Sequence, residues 1–322
     1  MIGIMGEALI DFIAKAGKDV VSFDSFVGGC ALNAATAAAL QDAPVGFIGK
    51  ISGDMFGVRM LDHLVENRVM FDPTLCAARE PSLLAFASLD ESGSASYAFF
   101  LDGSAPLCVT KDELITVMGE HTDLRVVHIG SLVLALEPSS SAVLAALSEF
   151  EPRPVIFLDP NVRPAVIADA DAFRCRMDEA MALASIMKLS DEDLSYLYPD
   201  CDIHAKAAEV AKEKQLHVIL TLGSKGAEWY TPDGNVRKQA IIDLPVIDTV
   251  GAGDTFSGSI LTFLHDRDCF GCDGEEPEMR TLGLDVIEEA LLWASGASAI
   301  NCSRKGCSPP TKEEVRALLA SL

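Results

Sequence analysis

Basic residues are scarce in this chain: 25 Lys and Arg stand against 48 Asp and Glu, a formal net charge of −23. Binding a nucleic-acid backbone or an anionic membrane surface needs clustered cations, so neither is an expected partner. No uninterrupted apolar stretch of about 18 residues occurs, and no charged segment precedes a signal-like apolar run. A soluble, cytoplasmic protein is therefore expected. There is no Gly-x4-Gly-Lys-Ser/Thr pattern and no strand-linked Gly-x-Gly-x-x-Gly, which disfavours a P-loop kinase and a dehydrogenase. The nine cysteines are odd in number and scattered, as reduced cytosolic thiols are, rather than paired into a disulfide framework. Cys269-Phe270-Gly271-Cys272 has redox or zinc spacing, but no second Cys-x-x-Cys completes four ligands, and Cys302 and Cys307 would do so only if the fold brought them close.

Apolar material is plentiful, at 49% of 322 residues, enough to bury a large core. From residue 124 short apolar runs alternate with helical stretches: Val126–Ile129, helix 139–150, Val155–Leu158, helix 171–183, Ile186–Leu189, helix 203–214 and Val218–Leu222. Runs of four or five apolar residues, each followed by a helix, mark parallel strands buried on both faces of one α/β core. Ligands collect at the carboxyl ends of such strands. There the sequence places Gly130-Ser131, Asp159-Pro160-Asn161-Val162-Arg163, Ser190-Asp191-Glu192-Asp193 and Gly223-Ser224-Lys225-Gly226. His128, at one strand end, reads as a satisfied core histidine. Gly6 to Asp11 reads as a further strand. Residues 12–27 and 72–105 differ in texture, with short alternating runs and no covering helices, and read as a small sheet able to cover a site.

The chemistry concentrates at Asp248-Thr249-Val250-Gly251-Ala252-Gly253-Asp254-Thr255-Phe256-Ser257-Gly258. Its glycines permit a tight turn, and Phe256, Ile260, Phe263 and Leu264 follow at helical spacing, so the turn opens a helix. Unpaired amides and the positive end of the helix dipole suit that turn to a phosphate, and Asp254 beside it suits a base taking a proton from an attacking hydroxyl.

This stretch closely resembles the C-terminal signature of the ribokinase-like (PfkB) carbohydrate kinases, and Val27-Gly28-Gly29 with Asn33 in an alanine-rich helix, continuing to Gly49 and Gly53-Asp54-x-Phe56-Gly57, resembles the N-terminal one. The resemblance covers nearly the whole chain and is nearest to fructokinases, many of which begin Gly-Glu-x-Leu-x-Asp as residues 6–11 do. It implies a three-layer α/β/α core with a mainly parallel central sheet plus a small β-sheet lid, one kinase domain over 1–322 with lid segments at about 12–27 and 72–105, and pairing of lids in a homodimer. It also implies an ATP-dependent sugar kinase using Mg²⁺, and it leaves K⁺ open. By the same resemblance Asp254 is the catalytic base, with the amides of Gly251, Ala252 and Gly253 stabilising the transferring phosphoryl group. Asp11, Gly28, Gly29, Asn33, Phe99, Asn161 and Arg163 fall on the sugar side. Lys188, Thr221, Gly223, Gly226 and Asn301 fall on the nucleotide side, Asp193 takes the place of a carboxylate that binds magnesium through water, and Asp248 that of a monovalent-cation ligand.

The chain departs from fructokinases in having no arginine between Glu80 and Arg125 and an aspartate, Asp193, where Ser-Asp-Glu-Glu is frequent. Arg163 can grip a carboxylate or a phosphate by a bidentate fork. Fructose is the expected substrate, 2-keto-3-deoxygluconate the alternative. A sugar or nucleotide sensor without catalysis, and a zinc-binding interaction protein, are the readings outside that class.

Overall fold

The computed structural model describes residues 1–15, 22–89, 95–272 and 274–322. Thirteen strands are found among them: β1 (Ile2–Met5), β2 (Leu9–Lys15), β3 (Ser22–Gly28), β4 (Val45–Ile48), β5 (Met70–Phe71), β6 (Leu83–Leu89), β7 (Ala95–Phe100), β8 (Val126–Gly130), β9 (Val155–Asp159), β10 (Ile186–Ser190), β11 (His217–Thr221), β12 (Ala227–Tyr230) and β13 (Val236–Gln239). Nine of them form one sheet in the order β13-β12-β11-β10-β9-β8-β1-β4-β5. It is parallel from β5 to β11, and the last two strands return antiparallel.

Side chains alternate between the faces of each strand, and both faces are apolar. Met187, Leu189, Ile156 and Leu158 point into one core, packed by the helices Lys111–Glu120, Ser139–Glu149, Ala170–Leu183 and Ile203–Lys214. Ile186, Ile219, Phe157 and Ile4 point into the other, packed by Cys30–Leu40, Met55–Glu66, Ala252–His265 and Leu284–Cys302. The result is the expected three-layer α/β/α arrangement. No helix among the described residues is long and apolar enough to cross a membrane.

The helices that carry the two signature motifs pack directly on each other. A Cβ at Gly258 would lie 2.5 Å from the Ala34 carbonyl oxygen, so the absence of a side chain there sets how closely the helices meet. Beyond this contact, the buried Gln41 amide donates to Ser259 Oγ at 2.7 Å and accepts from Trp293 Nε1 at 2.7 Å, tying Ala252–His265 to the helices on both sides.

The remaining strands form a second sheet, β3-β2-β6-β7. β6 and β7 fall inside the second expected lid segment, whereas β2 starts at Leu9, ahead of the first, and β3 ends at Gly28, just beyond it; 16–21 and 90–94 fall outside the described residues. One expectation needs correcting: Gly6 to Asp11 is not a single strand. β1 ends at Met5 and β2 begins at Leu9, and the two belong to different sheets. Apolar alternation runs through the break and so hides it. The chain passes so close to Ala31 at the break that only glycine fits at position 6, where a Cβ would approach Ala31 Cβ to 2.5 Å.

Candidate active site

Strands β1, β8, β9, β10 and β11 end along one edge of the large sheet, and the lid sheet is joined to the same edge through residues 6–8 and 28–29. The helix Ala252–His265 begins here, with Gly251 in the left-handed region at φ 73°. Among the described residues, the amides of Gly251, Gly253 and Asp254 donate to no carbonyl, whereas that of Ala252 reaches Thr249 O at 3.2 Å. The turn thus offers unpaired donors at a positive helix end. Cys307 fills the space behind it, where a Cβ on Gly251 would come within 2.2 Å of Sγ.

Asp254 is half-buried and accepts from Asn33 Nδ2 at 2.8 Å. Burial raises its pKa; the Asn33 bond opposes this, while the charge of Asp159 adds to it. Asp11, on β2, is pushed up to about 6 by burial, with Arg163 opposing and Asp254 reinforcing. Gly28 lies directly against it, since a Cβ there would meet Asp11 Oδ2 at 2.5 Å, and Gly29 follows at φ 107°. Phe99, Ala85, Asp11 and Phe26 are successive cross-strand partners and therefore share one face of the small sheet. Asn161 has φ 40° and its side chain bonds the buried Cys30 thiol. Arg163 is exposed at the rim, and its charge lowers the pKa values of Glu7, Asp11 and Asp254 together.

Behind the turn lies a buried polar cluster. Lys188 Nζ donates to Asp159 Oδ2 at 3.0 Å, and Ser257 Oγ donates to the same oxygen at 2.8 Å. Burial disfavours both charges, but their neighbours outweigh it: Lys188, with His128, holds the Asp159 carboxyl well below the carboxylate range, and Asp159, with Asp193, holds the Lys188 ammonium above its ordinary value. Lys188 also reaches under the anion turn, 3.0 Å from where a Gly253 Cβ would stand. His128 is buried as expected but not satisfied. Its Nε2 is 4.0 Å from Asp159 Oδ2, and neither ring nitrogen has a hydrogen-bond partner among the described residues.

Of the residues expected to meet the nucleotide, Thr221 ends β11, and Gly223 and Gly226 form the link to β12, with φ 54° and 96°. Asp193 has both oxygens engaged by backbone, Val162 N at 2.8 Å and Ser190 N at 2.9 Å, and forms a capping box with Ser190. Such a buried carboxylate fits a metal's water shell better than the metal itself. Asn301 is wholly buried rather than lining a pocket. It donates to Val250 O at 2.9 Å and accepts from Ser308 N at 2.8 Å, bracing the turn from behind. Asp248 accepts from Val250 N at 3.1 Å and Gly306 N at 2.8 Å. No three His, Cys, Asp or Glu residues among those described are grouped to hold a metal, which leaves the Cys269/Cys272 pair without a zinc set.

Sequence reasoning passed over Glu7. It is 1% exposed, its Oε2 has no partner, and burial pushes its pKa up to about 7 against the Ser131 hydrogen bond and the charge of Arg163. An acid in the first apolar run, four residues before Asp11, was the available signal.

The whole arrangement has close relatives. The model of the pfkB family of carbohydrate kinases matches residues 1–314. A fructokinase of Rhizobium leguminosarum bv. trifolii is 35% identical over 265 residues, 82% of this chain and 79% of its own length. Fructokinase-2 of Zea mays is 30% identical over 325 residues, 98% of this chain and 92% of its own. Among solved structures, a fructokinase of Xylella fastidiosa with bound ATP superposes with a TM-score of 0.84 at 23% identity, covering 99% of this chain and 98% of its own. A fructokinase of Vibrio cholerae O395 in a fructose, ADP and calcium ion bound form gives 0.80 at 25% identity, covering 99% and 98%. The chain belongs to the pfkB family of carbohydrate kinases and is an ATP-dependent sugar kinase.

Proposed function

We propose that the chain is a fructokinase in which Asp254 takes the proton of the attacking sugar hydroxyl. The observation that carries this is Asp254 held by Asn33 at 2.8 Å beside the free amides of Gly251 and Gly253: base and anion donors stand together at one helix start. Asp11, Gly28, Gly29, Asn33, Asn161 and Phe99 surround the space above it and would receive the sugar. The deprotonated Asp254 removes the hydroxyl proton as the oxygen attacks the γ-phosphorus, and ADP leaves as the bond from that phosphorus to the β–γ bridging oxygen breaks. Charge on the transferring group then meets the Gly251 and Gly253 amides, with Lys188 behind them; the Ala252 amide joins once it leaves Thr249 O. Phosphoryl transfer asks for positioning and charge stabilisation above all, and this arrangement supplies both. Thr221, Gly223 and Gly226 would meet the nucleotide's phosphates. Magnesium carried on those phosphates would neutralise their charge, with Asp193 touching its waters. A monovalent cation beside Asp248 would lie behind the same turn, which Asn301 braces.

The 2-keto-3-deoxygluconate reading draws on Arg163, a cation exposed at the rim among Glu7, Asp11 and Asp254. Coupled measurement of ADP release with fructose, ribose, glucose, 2-keto-3-deoxygluconate and nucleosides separates the two. Preference for fructose in kcat/KM supports the proposal; preference for the acid overturns it, and sugar binding without turnover favours a sensor. The face of the lid opposite Asp11 carries Phe12, Phe23, Phe86 and Phe100 in mutual ring contact, with Phe23 and Phe100 exposed, which supports pairing with a second copy. Light scattering on the assayed protein must then give the mass of two chains.

The acid limb of the pH profile tests the base. Because Asp254 is raised, kcat/KM should begin to fall, as pH drops, above the ordinary carboxylate range. Removing the Asn33 bond takes away a contact that favours the charged form, so Asn33→Ala should move that limb to still higher pH. A limb that stays in place in the variant would count against Asp254 as the titrating group.

A further inference from the structure

The chain enters the lid sheet twice from the core, and the second crossing is pinned by one side chain. Asp54 precedes the helix Met55–Glu66 and accepts from Phe56 N and Gly57 N, both at 2.9 Å, through Oδ1. The same oxygen accepts from Ser82 Oγ at 2.7 Å, while Oδ2 accepts from Ser82 N at 2.8 Å. Ser82 is buried and immediately precedes β6. β6 pairs in parallel with β2, and the partner of Ala85 in that ladder is Asp11. Burial works against the Asp54 charge, yet the Ser82 hydroxyl and amide, with the Gly57 amide, outweigh it and hold the pKa at about 2. An ionic contact lies beside it: Lys50 Nζ is 3.5 Å from Glu80 Oε1, 3.1 Å from Glu113 Oε1 and 3.3 Å from Cys108 O, joining the segment that leads into β6 to the segment that follows β7. Backbone bonds close the crossing, Gly53 N to Ala78 O at 2.8 Å and Ala105 N to Pro81 O at 2.9 Å.

We infer that Asp54 is a positioning residue for sugar binding: by holding Ser82 it fixes where β6 leaves the core, and through the β6–β2 ladder it fixes Asp11 over the catalytic turn. An ordinary helix cap uses its carboxylate on the first-turn amides alone. Here half of the carboxylate's bonds go to a residue 28 positions away, at the base of the lid. The inference rests on reading Asp11 as a sugar ligand.

Asp54→Asn separates the two roles. Asparagine caps a helix about as well as aspartate, so its Oδ1 keeps the Phe56 and Gly57 bonds. Its amide nitrogen, however, is a donor and would face the Ser82 N–H donor. With fructose and Mg·ATP, the variant should stay folded with its melting temperature lowered by a few degrees and show a fructose KM raised about tenfold, with kcat and the ATP KM within about twofold of the parent. Ser82→Ala, which removes only the hydroxyl bond, should raise the fructose KM about threefold and serves if the first variant does not fold. A lowered melting temperature with unchanged fructose KM in both would overturn the inference, leaving Asp54 a cap. Asp11→Asn is measured beside them. If it leaves the fructose KM unchanged, the sugar-ligand reading falls and takes the inference with it. If it raises that KM while neither Asp54→Asn nor Ser82→Ala does, the positioning role alone falls.

Discussion

Asp254→Asn is expected to lower kcat by about a thousandfold, the middle of the range for a lost general base, while the fructose KM changes less than about threefold. The asparagine is isosteric and its carbonyl oxygen can still accept from Asn33 Nδ2, so the 2.8 Å contact that fixes the side chain survives. What is lost is the ability to take a proton. Binding should therefore be spared and the chemical step not, the pattern of an interaction made in the transition state. The anion turn remains in the variant, because Gly251 keeps its φ of 73° and the unpaired amides depend on backbone alone. Those amides should leave a measurable residual rate. Asp254→Ala, which also frees Asn33, should lose fructose affinity in addition. Steady-state kinetics and single-turnover transfer from labelled ATP give both numbers. If Asp254→Asn kept more than about a tenth of kcat, another group would have to be the base.

Much of this site could be read along the chain because its central parts are local. The glycine turn, Asp254 and the start of the helix that holds it lie within one run of eleven residues, and short apolar runs gave β8 to β11 to within a residue or two at each end. The break at Gly6 was not legible, since the contact that demands glycine there is with Ala31, distant in sequence. Asn301 looked like a polar residue near a nucleotide pocket; its burial depends on Val250 and Ser308 closing around it. Asp193 shows both sides of the limit. Its capping role was visible in Ser190-Asp191-Glu192-Asp193, whereas its second oxygen bond, to Val162 N, comes from another strand's end. His128 could be placed in the core from its strand, but whether its nitrogens found partners depended on Asp159, 31 residues on, and the 4.0 Å separation leaves them without.

The Lys188 and Asp159 pair lies beyond sequence reasoning for the same cause, and it carries the largest stability effect to be expected. Lys188→Met should destabilise the fold by about 3–5 kcal/mol, because it strands a carboxylate in the interior rather than because it deletes an attraction. Asp159 has no exposed surface, its Oδ1 already lacks a partner, and without Lys188 the Ser257 hydroxyl at 2.8 Å would be its one remaining donor. The sign of the pH dependence follows. In the parent the Asp159 pKa lies below its ordinary value, so the pair's stabilisation is present above the ordinary carboxylate pKa and is lost as pH falls through the depressed one. In the variant the largest opposition to burial is gone, leaving His128 and the Ser257 hydroxyl against it, so the pKa rises, the carboxyl enters the fold protonated at acid pH and is penalised as pH rises. The gap in stability between parent and Lys188→Met should therefore be small near pH 4 and widen toward pH 7. Replacing both partners, as Lys188→Met with Asp159→Leu, should recover most of the loss, since no buried charge is then left unpaired. Activity should not return with stability, because the positive charge 3.0 Å from the Gly253 Cβ position stays missing beneath the anion turn. Denaturant unfolding at several pH values, with kcat for each variant, distinguishes the outcomes: a pH-independent loss in Lys188→Met, or a double variant no more stable than the single one, would mean that packing around the lysine stem, and not the buried charge, holds this part of the core.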